Sequence, residues 1–268
     1  MFSSLAPARR RLAVTGLAVL LVAAVLAAVL VVAHRRADGG NRPVAQDVAG
    51  PVLLLPGYGG STTGLNTLAT RLRATGKDVT VLSLPDNAEG DLGGQATVLA
   101  GAVKAALART GAPSVDVVGY SAGGVVARLW AKQDGGASLA RRVITLGSPQ
   151  HGTALAALGS LVAGECPLAC QQLVPTSPIL GQLNASPEVP AGPVFVSLWS
   201  SRDQVVLPPD SAELAGAVNI QIQSVCAASV VEHSGLPTDP LVAAMVAAEL
   251  GTAPPTQLGP ADCARLSS

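Results

Sequence analysis

Residues 115–129 read VDVVGYSAGGVVARL. An apolar run that suits a buried strand leads into Gly119-Tyr120-Ser121-Ala122-Gly123, and an apolar pattern that suits a helix follows. A G-x-S-x-G pattern alone is weak evidence in a chain with 29 glycines. Between a strand and a helix, however, it is typical of a sharp turn that exposes a serine hydroxyl, because the flanking glycines leave room for neighbouring backbone. This context predicts that Ser121 is a nucleophile.

Short apolar runs alternate with longer helical patterns from Pro51 onward. The predicted strands cover 52–55, 79–84, 115–118, 142–146, 194–199 and 218–222, and the predicted helices cover 65–75, 93–110, 122–132 and 241–250. Continuous apolar strands that alternate with helices indicate a parallel sheet covered on both faces. The sequence therefore predicts an α/β fold with a doubly wound, mostly parallel sheet. Its ligand site should lie beyond the carboxyl ends of the strands.

Residues 152–192 interrupt this alternation with many Pro, Gly and Ser residues. A segment this long without regular structure is usually functional or disordered. We interpret it as an insertion near the mouth of the site. The alternative is that the segment is a surface loop held in place by a disulfide.

The amino terminus carries a membrane or export signal. Three arginines precede an uncharged apolar run from Leu12 to Ala33, and His34, Arg35 and Arg36 follow it. The run is long enough to span a bilayer, which favours a signal-anchor, although a cleaved signal peptide remains an alternative. The preceding arginines favour an amino terminus inside the cell, so the rest of the chain would be extracytoplasmic, either membrane-anchored or secreted. We expect three regions: the signal segment 1–36, a linker 37–50 and a catalytic domain 51–268.

Composition narrows the expected partners. The formal net charge is zero and aromatic residues make up only 2% of the chain, so nucleic-acid binding is not expected. We expect a monomer that contacts the membrane through its amino-terminal helix.

The four cysteines suit an exported protein. An even number in this setting predicts disulfides, and we favour Cys166–Cys170 and Cys226–Cys263 because each pair closes a nearby segment. A metal site is the competing interpretation. The chain lacks CxxC, and none of its histidines has zinc-ligand spacing from these cysteines, so we predict no metal.

A serine nucleophile needs a base, and the chain has three histidines. His34 flanks the membrane run. The usual order of nucleophile, acid and histidine leaves His151 only Asp134 as its acid, in a polar turn. His233, on a loop after the last predicted strand, is therefore the predicted base.

The acid should follow a strand between nucleophile and base. Asp203 does so, after the strand that ends at Trp199. Its rivals are Asp210, Glu213 and Glu232, with Glu165 and Glu188 in the insertion. An exposed Arg202–Asp203 turn is the structural alternative.

An oxyanion formed at Ser121 needs two backbone donors. We assign the N–H of Ala122, which follows the nucleophile, and the N–H of Tyr58 in the glycine-rich turn Pro56-Gly57-Tyr58-Gly59-Gly60. That turn lacks the Gly-Lys-Ser/Thr ending of a phosphate-binding loop, so nucleotide binding is not expected.

Together these motifs resemble a known family. The glycine-rich turn, the serine motif, the segment from Leu146 to Thr153 (LGSPQHGT) and the late Glu232-His233 are similar to secreted bacterial lipases of the α/β-hydrolase superfamily, in particular the actinobacterial triacylglycerol lipases. The resemblance covers roughly residues 50–250. It implies the α/β-hydrolase fold, extracellular ester or lipid hydrolysis without a cofactor, and a triad of Ser121, Asp203 and His233.

The resemblance also implies a substrate pocket. In the LGSPQHGT segment His151 would line the site rather than act as base, and we assign Gly57 and Tyr120 to the same pocket. Many relatives have His-Gly where this chain has Pro56-Gly57. Because the oxyanion donor is a backbone group, its role survives this difference.

The leading hypothesis is a carboxylic-ester hydrolase, either a lipase or an esterase. An acyltransferase or thioesterase on the same triad is the second hypothesis. A membrane-tethered, non-catalytic binding module on a hydrolase scaffold is the third, although that would predict the loss of a triad residue.

Overall fold

The computed structural model describes residues 44–161 and 166–267, together with Val22 and Val25. The predicted membrane run from Leu12 to Ala33 thus lies outside the described residues except at those two positions. Across the part of the chain that is described, no helix is both long and apolar enough to cross a membrane. The sheet belongs to the compact unit Pro43–Ser268.

Six strands form one sheet in which every neighbouring pair is parallel. The strands are β1 (Val52–Leu55), β2 (Val79–Val81), β3 (Val115–Tyr120), β4 (Ala140–Leu146), β5 (Val194–Trp199) and β6 (Val218–Gln221). Their order is β2-β1-β3-β4-β5-β6. The sheet is therefore parallel throughout, where the sequence predicted a mostly parallel one.

Helices cover both faces of this sheet. They are α1 (Thr63–Ala74), α2 (Leu92–Thr110), α3 (Ala122–Gln133), α4 (Ala154–Gly159), α5 (Leu168–Gln172), α6 (Pro178–Leu183), α7 (Ile222–Val225), α8 (Pro240–Glu249) and α9 (Cys263–Leu266). Short 3-10 turns occur at Pro85–Ala88, Gly136–Ser138, Pro209–Ala212, His233–Gly235 and Pro260–Asp262. The six predicted strands and four predicted helices are all present, with their ends moved by at most about three residues.

Alternate residues along each strand enter two separate cores, because successive side chains point to opposite faces. Leu53 and Leu55 of β1 pack in the core that contains α2 and α3. Val52 and Leu54 pack in the other core, with α1 and α8. Since both faces of the central strands are buried, these strands are mainly apolar along their length, apart from buried polar positions such as Asp116, Arg141 and Arg142 near the start of β3 and β4.

The strand order reverses between β1 and β3, which are neighbours although β2 lies between them in sequence. The chain leaves β1 for α1 on one face and leaves β3 for α3 on the other. Loops that diverge in this way open a crevice at the carboxyl ends of the two strands. This crevice contains both the Pro56–Tyr58 turn and Ser121.

Both predicted disulfides are confirmed. Cys166 is bonded to Cys170, and Cys226 is bonded to Cys263. Disulfides persist mainly in oxidising compartments, so this pattern is typical of a protein that folds outside the cytoplasm.

Buried charges lie at the amino-terminal edge of the sheet, opposite the crevice. Arg141 Nη2 lies 2.5 Å from Asp116 Oδ2, and both side chains are buried. Arg141 Nη1 donates to the carbonyls of Gln46 and Gly251. The pair therefore holds the end of the predicted linker to the sheet.

Glu249, at the end of α8, lies beside this group. Its neighbour Arg142 donates to the Glu249 and Ala253 carbonyls. The Glu249 side chain is buried, and among the described residues its Oε2 has no hydrogen-bond partner. Burial raises the pKa of Glu249 to about 7, against the opposing charge of Arg142.

We predict that Glu249 makes folding stability fall as the pH rises. Its folded pKa lies above its unfolded value, so the folded state binds more protons between those two values, and stability is lost as the pH rises through that interval. After allowance for solvent screening, the loss between about pH 5 and about pH 8 should be roughly 1 to 2 kcal/mol. Thermal unfolding at both pH values should show a smaller change in Glu249→Gln than in the parent. The exposed Glu213→Gln is the control, and equal pH dependence in both variants would contradict the assignment.

Candidate active site

Ser121 occupies a strained turn between β3 and α3. Its backbone has φ 54° and ψ −129°, a conformation that residues with a side chain rarely adopt. The Ser121 N–H donates to the Leu146 carbonyl of the neighbouring strand β4 at 2.9 Å. The turn is therefore held on the sheet, with the hydroxyl above the strand ends.

The glycines of the motif are needed for close backbone approach. A Cβ on Gly119 would lie 2.5 Å from the Gly123 carbonyl oxygen. A Cβ on Gly123 would lie 2.5 Å from the carbonyl oxygen of Pro56 after β1. Any larger residue would push α3 away from the sheet, which is the physical basis of the spacing predicted from the sequence.

His233 lies next to the serine. Its Nε2 is 3.0 Å from Ser121 Oγ, and its ring is largely buried. The ring sits on the short 3-10 turn His233–Gly235, which follows β6 and α7. Position 233 is therefore the histidine that the structure brings to Ser121.

Asp203 lies on the other side of the imidazole, just beyond the end of β5. Its Oδ2 is 2.7 Å from His233 Nδ1. Its Oδ1 accepts from the backbone N–H groups of Val205 and Val206, each at 2.8 Å. The carboxylate at Nδ1 favours the tautomer that leaves Nε2 free to accept the Ser121 proton. With a relative exposure of 5%, Asp203 is buried, so the exposed-turn alternative for it is wrong.

The rival acids lie elsewhere. Glu232 accepts from Gln204, and Glu188 contacts His151. Asp210 and Glu213 belong to or follow the 3-10 turn at Pro209–Ala212. Within residues 44–161 and 166–267, no group of three or more His, Cys, Asp or Glu side chains could hold a metal ion.

The two expected oxyanion donors flank Ser121. Ala122 is the first residue of α3, so its N–H has no acceptor inside the helix. Gly57 packs directly on the serine, since a Cβ there would lie 2.7 Å from Ser121 Cβ. Tyr58, the next residue, borders the same cavity as Ser121.

Two predicted pocket residues lie away from that cavity. His151 contacts Glu188 Oε1 through Nε2 at 3.0 Å and the Ser211 carbonyl through Nδ1 at 3.2 Å, and it is not among the cavity-lining residues. The reason is the turn at positions 149–152: Pro149 and Thr153 face the cavity, and the histidine between them faces the insertion.

Tyr120 is instead packed behind His233. The two rings are 5.1 Å apart, and the Tyr120 hydroxyl donates to the His233 carbonyl at 3.2 Å. Burial, with a smaller contribution from the charge of Asp203, raises the pKa of Tyr120 to about 12. The phenol therefore stays neutral and remains a donor that holds the histidine loop.

Sequence reasoning missed Gly147, the second residue of LGSPQHGT. It has φ +52°, and a Cβ there would lie 2.5 Å from Leu236 Cδ1 and 3.0 Å from Asp203 Oδ2. The same Cβ would lie 3.3 Å from His233 Nδ1. A glycine directly after a predicted strand was the available signal, because such a position often marks close backbone approach.

An apolar cavity of about 330 Å³ opens beside Ser121. Its other lining residues are Tyr58, Pro149, Thr153, Leu155, Ala156, Leu158, Gly159, Cys170, Leu173, Val205 and Val206. Seven of them, from Thr153 to Leu173, belong to the segment 152–192. The insertion thus forms a wall of the site, as its predicted position suggested.

Comparisons with known proteins agree with this architecture. A sequence model described as alpha/beta hydrolase fold matches residues 50–161, which include the turn after β1 and the serine motif. The chain has the α/β-hydrolase fold. A comparison of the sequence with curated proteins gave no match.

Solved structures with the α/β-hydrolase fold are similar at low sequence identity. The mature lipase BlEst2 of Bacillus licheniformis is 19% identical, with a TM-score of 0.56 over 67% of this chain and 84% of that one. Lipase B of Aspergillus fumigatus is 21% identical, with a TM-score of 0.65 over 81% of this chain and 60% of that one. A deformylase of Pseudomonas putida S16 is 18% identical, with a TM-score of 0.52 over 75% and 92% of the two chains. At these identities the similarity concerns the fold.

We predict that Gly147→Ala displaces the Asp203–His233 pair and lowers kcat/KM toward a nitrophenyl ester by about 100-fold, because small misplacements of catalytic groups are costly. Gly111→Ala is the matched control, since Gly111 also has positive φ (+68°) but nothing within 4 Å of its Cβ position. Steady-state kinetics with unfolding curves for both variants would check this. If kcat/KM fell equally in the two variants, the effect would come from backbone strain alone.

We predict that Tyr120→Phe lowers kcat by roughly threefold to tenfold, since it removes one net hydrogen bond to the His233 loop. Circular dichroism should show an unchanged fold. The pH profile of kcat/KM should also shift, because the imidazole would lose its fixed orientation; an unchanged kcat and pH profile would mean that the hydroxyl plays no positioning role.

Proposed function

We propose that this protein is a serine hydrolase that cleaves carboxylic esters, a lipase or esterase, through a triad of Ser121, His233 and Asp203. The observation that carries the proposal is the continuous hydrogen-bond chain from Ser121 Oγ through both ring nitrogens of His233 to a buried carboxylate. A histidine with a purely structural role would not require a serine in a strained, positive-φ turn at one ring nitrogen. Nor would it require, at the other nitrogen, an aspartate that takes part in three hydrogen bonds.

The first half of the reaction forms an acyl-enzyme. His233 Nε2 takes the hydroxyl proton while Ser121 Oγ attacks the ester carbonyl carbon, and a tetrahedral oxyanion results. Asp203 stabilises the imidazolium and keeps its orientation. The carbon–oxygen bond to the alcohol then breaks, and His233 returns the proton to the departing oxygen.

The second half repeats the sequence with water. His233 accepts a proton from a water molecule as its oxygen attacks the acyl carbon. Collapse of the second oxyanion releases the carboxylic acid, and Ser121 recovers its proton from His233. The backbone N–H groups of Tyr58 and Ala122 are the proposed donors for both oxyanions. Each such donor typically stabilises the transition state by about 3 kcal/mol.

The cavity supports an apolar acyl group as the substrate. Its walls are mainly aliphatic side chains, with Ser121 at one side. Pockets of this kind bind apolar groups through burial and use few polar groups for orientation. The two disulfides support an extracytoplasmic location, and anchoring by residues 12–33 remains part of the proposal.

The test uses the full-length protein in detergent micelles and a fluorophosphonate probe, which bonds to activated serines. We expect labelling of the parent, none in Ser121→Ala, and a loss of about 10⁴-fold in ester hydrolysis in His233→Ala and Asp203→Asn.

Matched controls separate the triad from general damage. Ser224→Ala removes an exposed serine, and Glu232→Gln removes the acid beside the histidine. Both variants should be labelled like the parent. Labelling that persists in Ser121→Ala, or that is lost equally in Glu232→Gln and Asp203→Asn, would overturn the assignment. Transfer of the acyl group to an added alcohol in preference to water would favour the acyltransferase alternative.

A further inference from the structure

A disulfide and several hydrogen bonds hold the wall of the cavity that α5 forms. Cys170 and Leu173 form part of it, on and just after the short helix α5. The Cys166–Cys170 disulfide closes the start of this helix. Ala169 donates its backbone N–H to the Glu89 carbonyl at 3.0 Å, which ties the buried side of the helix to the loop before α2.

Three further hydrogen bonds hold the end of α5. Gln172 Nε2 donates to Asp91 Oδ1 at 2.6 Å, and its Oε1 accepts from the Leu92 N–H at 2.8 Å. The Leu173 carbonyl accepts from Thr153 N–H at 3.1 Å. These hydrogen bonds tie α5 to the loop before α2 and to the start of α4. The disulfide joins two positions of the same segment and fixes Cys170 at the cavity wall.

The facing wall is α4, and it includes one glycine. A Cβ on Gly159 would lie 3.6 Å from Cys170 Sγ, which is ordinary van der Waals contact, and among the residues that the structure describes it would meet no other atom outside its own helix within 4 Å. A side chain is therefore sterically allowed there, and it would enter the space between α4 and the disulfide. The absence of a side chain at position 159 therefore leaves this part of the cavity open.

The size of the cavity limits what it can hold. A volume of 330 Å³ accommodates roughly eleven heavy atoms, at about 30 Å³ for each, the volume that one water occupies in the liquid. Ala156 and Leu173 are buried, whereas Leu155 and Leu158 are exposed, so α4 leads from a closed interior to an open rim.

We infer that the site selects acyl groups of medium length, about eight to ten carbons, and that Gly159 and the Cys166–Cys170 disulfide set this limit. This inference rests on the proposed function. Shorter chains leave apolar wall exposed to water, and the tail of a longer chain extends past α5 to the rim without further burial. Each added methylene should raise kcat/KM roughly fourfold until the cavity is full.

The experiment compares nitrophenyl acetate, butyrate, octanoate, decanoate and palmitate at equal mole fraction in detergent micelles. In the parent, kcat/KM should rise up to octanoate or decanoate and then stop rising. In Gly159→Leu, the ratio of kcat/KM for decanoate to that for acetate should fall at least tenfold. Gly159→Ala should lower the same ratio by about threefold to fourfold.

Gly181→Leu is the matched control. Gly181 is an exposed helical glycine of the same insertion, with nothing within 4 Å of its Cβ position, and it does not border the cavity. Its chain-length profile should equal that of the parent. Titration of Ser121 with the fluorophosphonate probe gives the active fraction of each variant, so partial misfolding does not alter the comparison.

The outcomes separate this inference from the proposed function. If the parent neither binds the probe nor hydrolyses any ester, the proposed function fails. If the parent hydrolyses esters but its rate still rises to palmitate, or both Gly159 variants keep the profile of the parent, only the inference is overturned. A shortened profile in Gly159→Leu and Gly159→Ala, with Gly181→Leu unchanged, supports it.

Discussion

The site depends on one backbone constraint, the positive φ of Ser121 at the junction of β3 and α3. The strain is maintained because the turn is packed from several sides. The Leu146 carbonyl of β4 accepts the Ser121 N–H, and Gly57 after β1 lies against the serine side chain. Such strain persists only where surrounding structure determines it. Gly57 and Ser121 are each followed by a residue whose backbone N–H is a proposed oxyanion donor, Tyr58 and Ala122.

The parallel sheet explains why distant residues meet at this turn. Ser121, Asp203 and His233 follow β3, β5 and β6, and the carboxyl ends of parallel strands share one edge. Gly147 follows β4, between them, and its missing side chain leaves room for the Asp203–His233 contact. The site is therefore a property of the sheet edge, to which the segments after β1, β3, β4, β5 and β6 contribute.

The opposite edge of the sheet serves stability instead. Arg141, Asp116 and Glu249 bury charge there, with hydrogen bonds to the segments that precede β1 and follow α8. A buried pair of this kind is costly to break because either partner alone would be an uncompensated charge. A third region, the insertion 152–192, forms a wall of the cavity through α4 and α5, and it is the region proposed to recognise the acyl group.

The sequence by itself determined the secondary-structure elements and predicted the candidate site residues. Apolar runs and helical periods located the six strands, and the glycines around Ser121 predicted the turn, since a steric requirement for glycine is visible in one dimension. His233 followed by elimination, because the chain has only three histidines and the order of nucleophile, acid and histidine favours this one. Only the tertiary structure decided that His151 faces Glu188 rather than the cavity, and that Tyr120 lies behind the imidazole. It also showed that the missing side chain of Gly147 leaves room for Asp203. These outcomes depend on side-chain directions and on distances between segments far apart in sequence, which local sequence patterns do not encode.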